Sequence, residues 1–223
     1  MLIAPIVEGH GEVRAVPRLL RRIAAQASPG APLQVNEPIR VKSGSFLNDN
    51  QYQGNYVALA AAKVRQAGRG IVLVLLDCDD DCPAQLGPQL LQRAQAAAAD
   101  VPVVVALAFR EYETWFMAAV ESLRSVQGLN FQATAPRDPQ VTRDAKGWLG
   151  RLMPHGYDPV ADQLPFTNAF DLESARGVPS FDRLYRRIAE LLAASASPLP
   201  CPLGATSRSQ FERLVLMDAQ SGR

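Results

Sequence analysis

The chain has few of the residues that mark several common classes of protein. It contains only three cysteines, so we expect reduced thiols and no disulfide framework. Cys78 and Cys82 are spaced like half of a zinc site, but no second pair of cysteine or histidine residues lies near them in the sequence. The formal net charge is only +1, which excludes a strong overall attraction to nucleic acid or to anionic membranes. Any surface that binds nucleic acid must therefore be local.

Long apolar runs and lysines are also scarce. No apolar run approaches the roughly 20 residues of a membrane-spanning helix. The apolar N-terminal stretch lacks a basic region and is interrupted at Glu8, unlike a signal peptide. We therefore expect a cytoplasmic protein that makes no membrane contact. The only lysines are Lys42, Lys63 and Lys146, so a site that requires a lysine has few candidates.

The centre of the chain joins an apolar segment to a run of acids. Residues 71–76 are continuously apolar, which is typical of a strand buried on both faces. Four acids occupy the next five positions, at the predicted carboxyl end of the strand, where open α/β sheets bind their ligands. Asp77 and Asp79 are two residues apart, so in an extended chain their side chains point the same way.

Strand and helix patterns alternate through the first half of the chain. Apolar runs at residues 2–7 and 101–109 predict two further strands, and residues 35–42 are a plausible third, with helices between the strands. Pro5 conflicts with a central strand because proline cannot donate a hydrogen bond. Residues 43–55 are polar and predict a loop. This order predicts an α/β fold, a Rossmann-like and mainly parallel sheet flanked by helices.

The rest of the chain is less regular. Proline and glycine are frequent from residue 128 to residue 179, and amphipathic periodicity returns at residues 181–194. A terminal helix is predicted at residues 207–216. We therefore divide the chain into an α/β core, residues 1–127, and a mostly helical extension packed on it, residues 128–223.

Acidic residues follow three of the predicted strands. Because parallel strands end at one edge of a sheet, these acids should converge there. Packed carboxylates repel one another, and all-oxygen ligands favour Mg²⁺ or Mn²⁺ over zinc. The candidate metal ligands are Glu8, Asp77, Asp79, Glu111 and Glu113. Glu12 ranks below Glu8, since an acid in the first turn of a helix can simply favour the helix dipole. A solvated acidic turn that caps the next helix is the alternative for residues 77–81.

Two basic groups lie beside these acids. His10, in the glycine turn between Glu8 and Glu12, is either a general base or outer-sphere donor, or an exposed loop histidine. Arg110 either neutralises a phosphate or pairs with a nearby acid. The sequence leaves both alternatives open.

Several motifs resemble known families. The segment Glu8-Gly9-His10-Gly11-Glu12 resembles the E-G-x-x-E-like first motif of Toprim domains, and Asp77-Cys78-Asp79 resembles their D-x-D motif. Residues 79–83, 110–115 and 179–181 resemble the uncharacterised bacterial DUF4276 family, which is itself similar to Toprim proteins such as the overcoming-lysogenization-defect nucleases. Together these segments span most of the chain.

The resemblance implies magnesium-dependent phosphoryl-transfer chemistry on nucleic acid. By motif, Glu8 becomes a general acid/base or a metal ligand, Asp77 and Asp79 bind Mg²⁺, and Glu111 and Glu113 complete a second metal position. The catalytic candidates, including the basic residue that nucleases of this type carry late in the domain, are Glu8, His10, Glu12 and Lys146. Family analogy further implies an ATPase partner and a role in bacterial phage defence or repair.

Three functions therefore follow as hypotheses. The leading one is a magnesium-dependent, Toprim-like phosphoesterase, a nuclease that acts on nucleic-acid phosphodiesters. The second is a metal-dependent nucleotide-sugar transferase, because D-x-D after a buried strand can also hold manganese and a diphosphate. The third is a non-catalytic Toprim-like adaptor that docks on an ATPase through residues 128 onward.

Overall fold

The computed structural model describes residues 1–126 and 133–196. Within these ranges the strands are β1 Leu2–Val7, β2 Gln34–Val35, β3 Ile39–Arg40, β4 Gly70–Asp77 and β5 Val103–Ala108. The helices of the same ranges are α1 His10–Ala27, α2 Ser43–Asn48, α3 Asn50–Gln66, α4 Pro83–Ala97, α5 Glu113–Ala118, α6 Ala145–Gly150, α7 Pro159–Ala169, α8 Leu172–Ala175 and α9 Pro179–Ala196, with a 3-10 helix at Val120–Ser125. In this part of the chain no helix is both long enough and apolar enough to cross a bilayer.

The five strands form one parallel sheet. β1 lies between β4 on one side and the two short strands β2 and β3 on the other, and β5 pairs with β4. The register aligns Val7 with Leu75 and Asp77 with Ala108, so β1, β4 and β5 end at the same edge. The predicted α/β class, a mainly parallel sheet flanked by helices with a helical later part, is confirmed.

The proline in β1 is accommodated by a break in its neighbour. Backbone hydrogen bonding alternates sides along β1: Leu2 N–H donates towards β4, whereas Ile3 C=O accepts from the β2 side. Pro5 therefore has its missing N–H on the side of β2 and β3. β2 pairs with Leu2 and Ile3 and β3 pairs only from Ile6 onward, so Pro5 lies opposite the gap between the two short strands. No ladder hydrogen bond is lost there.

Two local predictions are wrong. The strand predicted at residues 35–42 is replaced by β2 and β3, which are two residues each. Residues 43–55, predicted to be a loop, form α2 and the first turns of α3. Asp49 caps α3, since its carboxylate accepts the backbone N–H groups of Gln51 and Tyr52. A polar segment can therefore form helices when a side chain caps one helix, as Asp49 caps α3, and an apolar residue anchors the other, as buried Phe46 anchors α2.

Helices cover both faces of the sheet. On one face α1, α7 and α9 pack over a core that includes Ile3 and Leu73. On the other face α3 and α4 cover Ile6 and Val74. Because successive side chains of a strand point to opposite faces, each apolar strand contributes to both cores.

Aromatic packing joins the later helices to the sheet. Trp115 and Phe116 of α5 are fully buried. The ring of Trp115 lies 5.2 Å from that of Phe181, and the ring of Phe116 lies 5.4 Å from those of both Phe166 and Phe170. Edge-to-face pairs of this kind contribute about 0.5–1.5 kcal/mol each beyond their buried area. Helices α7 and α9 therefore share one core with the strands.

The domain division after residue 127 stays a prediction. Helix α9 contacts β5, α7 contacts α1, and α6 and α8 contact α5. The helix predicted at residues 207–216 lies outside the described residues.

Candidate functional site

The carboxyl edge of the sheet carries a cluster of acids. Glu8 directly follows β1, Asp77 is the last residue of β4, and Glu111 and Glu113 follow β5 at the start of α5. Because these three strands are parallel and in register, their ends meet. Lys146, from the first turn of α6, reaches into the same place.

Lys146 is the cation at the centre of this cluster. Its Nζ lies 3.4 Å from Glu111 Oε2, 3.4 Å from Glu113 Oε2 and 3.7 Å from Asp77 Oδ2. Its backbone N–H also donates to Glu111 Oε2 at 3.2 Å. Burial lowers the pKa of the Lys146 ammonium, but the three carboxylates outweigh burial and raise the pKa above its usual range. The ammonium is therefore held in its charged form.

Glu113 is the most deeply buried acid of the cluster, with a side chain 1% exposed. Its Oε1 accepts the hydroxyl of Tyr157 at 3.1 Å and the amide N–H of Gln163 at 3.5 Å. Its Oε2 accepts no hydrogen bond, and Lys146 meets it as an ion pair only. Burial raises the pKa of Glu113 and Lys146 opposes the rise. Glu113 Oε2 is therefore a buried acceptor whose charge is compensated by the Lys146 ammonium alone among the described residues.

Asp77 faces both the sheet and the lysine. Its Oδ1 accepts the backbone N–H of Tyr112 at 2.8 Å, which fixes the carboxylate at the end of β4. Burial raises the pKa of Asp77 well above its usual value, the charges of Glu12 and Glu113 add to the rise, and Lys146 opposes it. Glu8 adds a smaller rise, so three further acids lie close enough to Asp77 to repel its negative charge.

Glu12 and Glu8 complete the cluster at the start of α1. Glu12 Oε2 accepts the backbone N–H groups of Glu8 at 3.1 Å and Gly9 at 3.2 Å, which closes the turn between β1 and α1. Burial raises the pKa of Glu12 to about 7, against the opposing effect of these hydrogen bonds. Glu8 is only partly buried, and its Oε1 accepts the hydroxyl of Ser43 at 2.6 Å. Glu8 thus offers the more accessible carboxylate.

Three predicted site residues lie outside this cluster. His10 is exposed at the start of α1. Asp79 is exposed, with a φ of 45°, because the chain turns immediately after β4. The extended geometry that would align Asp79 with Asp77 therefore does not continue, and in the described part of the chain the Asp79 side chain forms no ion pair. Arg110 directs its guanidinium to Asp80 at 2.7 Å and to the carbonyl of Gln140 at 3.0 Å.

Four further groups shape the site and were missed at the level of sequence. They are the Tyr112 backbone N–H on Asp77, the Ser43 hydroxyl on Glu8, and the side chains of Tyr157 and Gln163 on Glu113. Tyr157 and Gln163 are 44 and 50 residues from Glu113 in sequence, and no local pattern pointed to them. Gln163 belongs to α7, which packs closely against α1, and Tyr157 lies just before α7.

The cluster has more negative than positive groups. It contains five carboxylates and a single ammonium, Lys146, which pairs with three of them. The carboxylates are those of Glu8, Glu12, Asp77, Glu111 and Glu113. Among the described residues, no three acids, histidines or cysteines are arranged as a metal-ligand set, and Lys146 lies between the carboxylates. The donors are nevertheless hard oxygens, and Glu113 Oε2 is buried without a hydrogen bond. This chemistry fits a hard divalent cation such as Mg²⁺ or Mn²⁺.

The chain was compared with known families, curated proteins and solved structures. Residues 7–189 match a family described as a domain of unknown function, DUF4276. No curated protein and no solved structure gave a match. The matched range includes every member of the acid cluster and Lys146.

Proposed function

The chain belongs to the DUF4276 family, whose function is unknown, and from its site we propose that it is a Mg²⁺- or Mn²⁺-dependent phosphoesterase that cleaves nucleic-acid phosphodiesters. The observation that carries the proposal is the buried Oε2 of Glu113, an acceptor without a hydrogen bond beside four other carboxylates and one ammonium. An excess of buried negative charge costs free energy, and a divalent cation offsets that cost.

In this proposal Glu8, Asp77, Glu111 and Glu113 hold the metal. A bound divalent ion would polarise a phosphoryl oxygen and lower the pKa of bound water. Lys146, which pairs with Asp77, Glu111 and Glu113, would move from these carboxylates to the phosphate and neutralise its negative charge. Glu12, with a pKa of about 7, holds a proton near neutral pH and is suited to acid–base work.

The residues outside the cluster have peripheral roles in this proposal. Arg110 would bind the substrate phosphate, and for this it must exchange its contact with Asp80. His10 and Asp79 are exposed at the rim, where they could contact substrate or a second ion. The transferase hypothesis requires Asp77 and Asp79 to contact the same bound ligand. Because the two side chains lie apart, the structure favours this hypothesis less than the phosphoesterase.

The family resemblance supports nucleic acid as the substrate class. Toprim-like motifs at Glu8 and Asp77 coincide with the two acids at the ends of β1 and β4. A role in phage defence or repair, an ATPase partner and a cytoplasmic location are carried over as parts of the same proposal. One structural observation favours the adaptor hypothesis. Lys146 already pairs with Asp77, Glu111 and Glu113, and neutralising these acids would be a purely structural role.

Metal titration with matched variants tests the proposal. Purified protein is treated with chelator, titrated with Mg²⁺ or Mn²⁺, melted, and assayed on labelled single- and double-stranded DNA and RNA. The test variant is Asp77→Asn, which keeps an oxygen for the Tyr112 N–H, and the control is Glu121→Gln, an exposed acid of the 3-10 helix. A ligand that binds the folded state stabilises it by about 2.7 kcal/mol at 100 times its Kd.

We expect metal to raise the melting temperature and to support cleavage in the parent and in Glu121→Gln, and to do neither in Asp77→Asn. Cleavage that persists in chelator, or that Asp77→Asn retains, contradicts the proposal. Metal binding without cleavage of any substrate favours the adaptor.

A further inference from the structure

A groove runs along the free edge of the sheet at β5. Its walls are α4 and α9, which pack on opposite faces of the sheet, and its floor is residues 104–107. The cavity has a volume of about 260 Å³. In the described part of the chain, β5 pairs with β4 alone. One row of β5 backbone groups is therefore directed away from the sheet.

The hydrogen bonds to β4 identify which groups these are. The backbone N–H groups of Val72 and Cys78 donate to the carbonyl oxygens of Pro102 and Ala108. The even-numbered residues of β5 therefore form hydrogen bonds with β4. In a parallel pair the odd-numbered residues then direct their N–H and C=O to the other side. Val105 and Leu107 consequently present two donors and two acceptors to the groove.

The amino-terminal end of this edge is closed by a side chain. Val103 N–H, which belongs to the same row, donates to the Oε1 of Gln95 at 3.2 Å. The Nε2 of Gln95 donates to the carbonyl of Val101 at 3.1 Å. Gln95 thus occupies the place of a neighbouring strand at Val103, and the groove begins beyond it.

The side chains that line the groove are apolar, uncharged polar or positively charged. Apolar contact comes from residues such as Phe109 and Leu184, and the two charged residues are Arg183 and Arg187 of α9, with no acid among the lining residues. Arg187 is buried and pairs with Glu190 at 3.3 Å. Arg183 is exposed and, within the described ranges, forms no ion pair. An occupant with a negative charge would complement Arg183.

We propose that this groove binds an extended peptide segment of a partner protein, which pairs with β5 as an added strand and places an acidic side chain against Arg183. Strand addition uses backbone hydrogen bonds for affinity and flanking side chains for specificity. The groups of Val105 and Leu107 pair with a segment of roughly four residues, since every second residue of a strand faces its neighbour. A second copy of the chain carries the same two helical walls and the same arginines, so it complements the groove poorly. The proposal is independent of the proposed function.

A synthetic peptide tests the proposal on the full chain. The probe is a fluorescein-labelled peptide of alternating valine and threonine with glutamate at both ends, and a lysine-ended version is its charge control. Fluorescence anisotropy measures affinity, and amide exchange followed by NMR reports Val105 and Leu107. We expect the glutamate peptide to bind, to slow exchange at these two amides, and to bind at least tenfold more tightly than the lysine peptide.

Two variants separate backbone pairing from charge. Val105→Pro removes an N–H that faces the groove and leaves the ladder to β4 intact, a position where edge strands tolerate proline. Arg183→Glu should weaken the glutamate peptide at least tenfold and strengthen the lysine peptide. Arg21→Glu, an exposed arginine of α1, is the matched charge control and should bind like the parent. Circular dichroism checks that each variant is folded.

Several outcomes overturn the proposal. One is equal affinity of folded Val105→Pro and the parent for the glutamate peptide, or equal binding of the two peptides by the parent. Another is a concentration-dependent dimer that Val105→Pro abolishes, which would make a second copy the occupant. Slow exchange of Val105 and Leu107 without peptide would show that the chain itself covers the edge. If Val105→Pro fails to fold, the Arg183→Glu charge reversal decides the question.

Discussion

Replacing Glu12 with glutamine should stabilise the protein above neutral pH. Glu12 is 5% exposed, and burial raises its pKa from 4.5 to about 7, with smaller contributions from Glu113 and Glu8. Between these two values the folded protein keeps a proton that the unfolded chain has already lost. The contribution of Glu12 to the free energy of unfolding therefore falls as the pH rises from about 4.5 to 7, and this contribution stays low at higher pH.

The size of the effect follows from the shift. Each pKa unit corresponds to about 1.36 kcal/mol, so the rise from 4.5 to about 7 costs roughly 3 kcal/mol at pH 8. Glutamine carries no charge, and its Oε1 can still accept the N–H groups of Glu8 and Gly9. Glu12→Gln should thus gain about 3 kcal/mol at pH 8 and little at pH 5. For a chain of this size that gain corresponds to roughly 6–12 °C in melting temperature.

Thermal and urea unfolding at pH 5 and pH 8 measure this difference. The buffers contain chelator, because a bound cation would itself compensate the charge of Glu12. Glu37→Gln, an exposed acid, is the matched control and should follow the parent at both pH values. A parent-like pH dependence in Glu12→Gln, or an equal loss of stability at both pH values, would refute the reasoning.

Two further substitutions probe the cluster and its support. Lys146→Met, unfolded by urea in chelator, should lose about 1–3 kcal/mol at pH 8, because removing this partly exposed ammonium leaves the buried carboxylates of Asp77 and Glu113 uncompensated. The loss should be smaller at pH 5, because burial raises the pKa of both carboxyls and a larger fraction of each is protonated as the pH falls. Equal losses at the two pH values would contradict this. Gly11→Ala should lose about 1–3 kcal/mol in the same assay, because a Cβ there would overlap the Pro159 carbonyl and the Gln163 side chain. Gly54→Ala in α3 should be neutral or stabilising, because a Cβ there would make only an ordinary contact with the Cβ of Ala97 at 3.8 Å. Equal effects of the two glycine substitutions would show that α1 and α7 do not pack as closely as described.

Most of the sheet could be predicted from the chain because its central strands are buried on both faces. Residues 71–76 and the apolar run before Glu8 have no polar alternation, and that pattern is typical of parallel sheets covered by helices. The strand at residues 35–42 was overpredicted, because its neighbour contains Pro5 and pairing on that side is broken. Such a break depends on a residue elsewhere in the chain, which local propensity does not report.

The acid cluster was predictable only in part. Strand ends place Glu8, Asp77 and Glu113 together, since parallel register brings them to one edge. The direction of Asp79 was not predictable, because it depends on a turn in which φ becomes positive. Lys146 was suggested by family resemblance alone, since nothing in its own segment indicates that α6 returns to the sheet.

The distance in sequence between the acids and their lysine has a consequence for synthesis of the chain. Lys146 follows Glu111 by 35 residues, and it is the only ammonium that pairs with these carboxylates in the described part of the chain. At about 5–20 residues per second, the ribosome adds those residues in roughly 2–7 seconds. During that interval the nascent strands carry their acids without the lysine. Protons or dissolved cations must then provide the compensating charge, so early assembly of the sheet should be sensitive to pH and to divalent salt before the chain supplies its own cation.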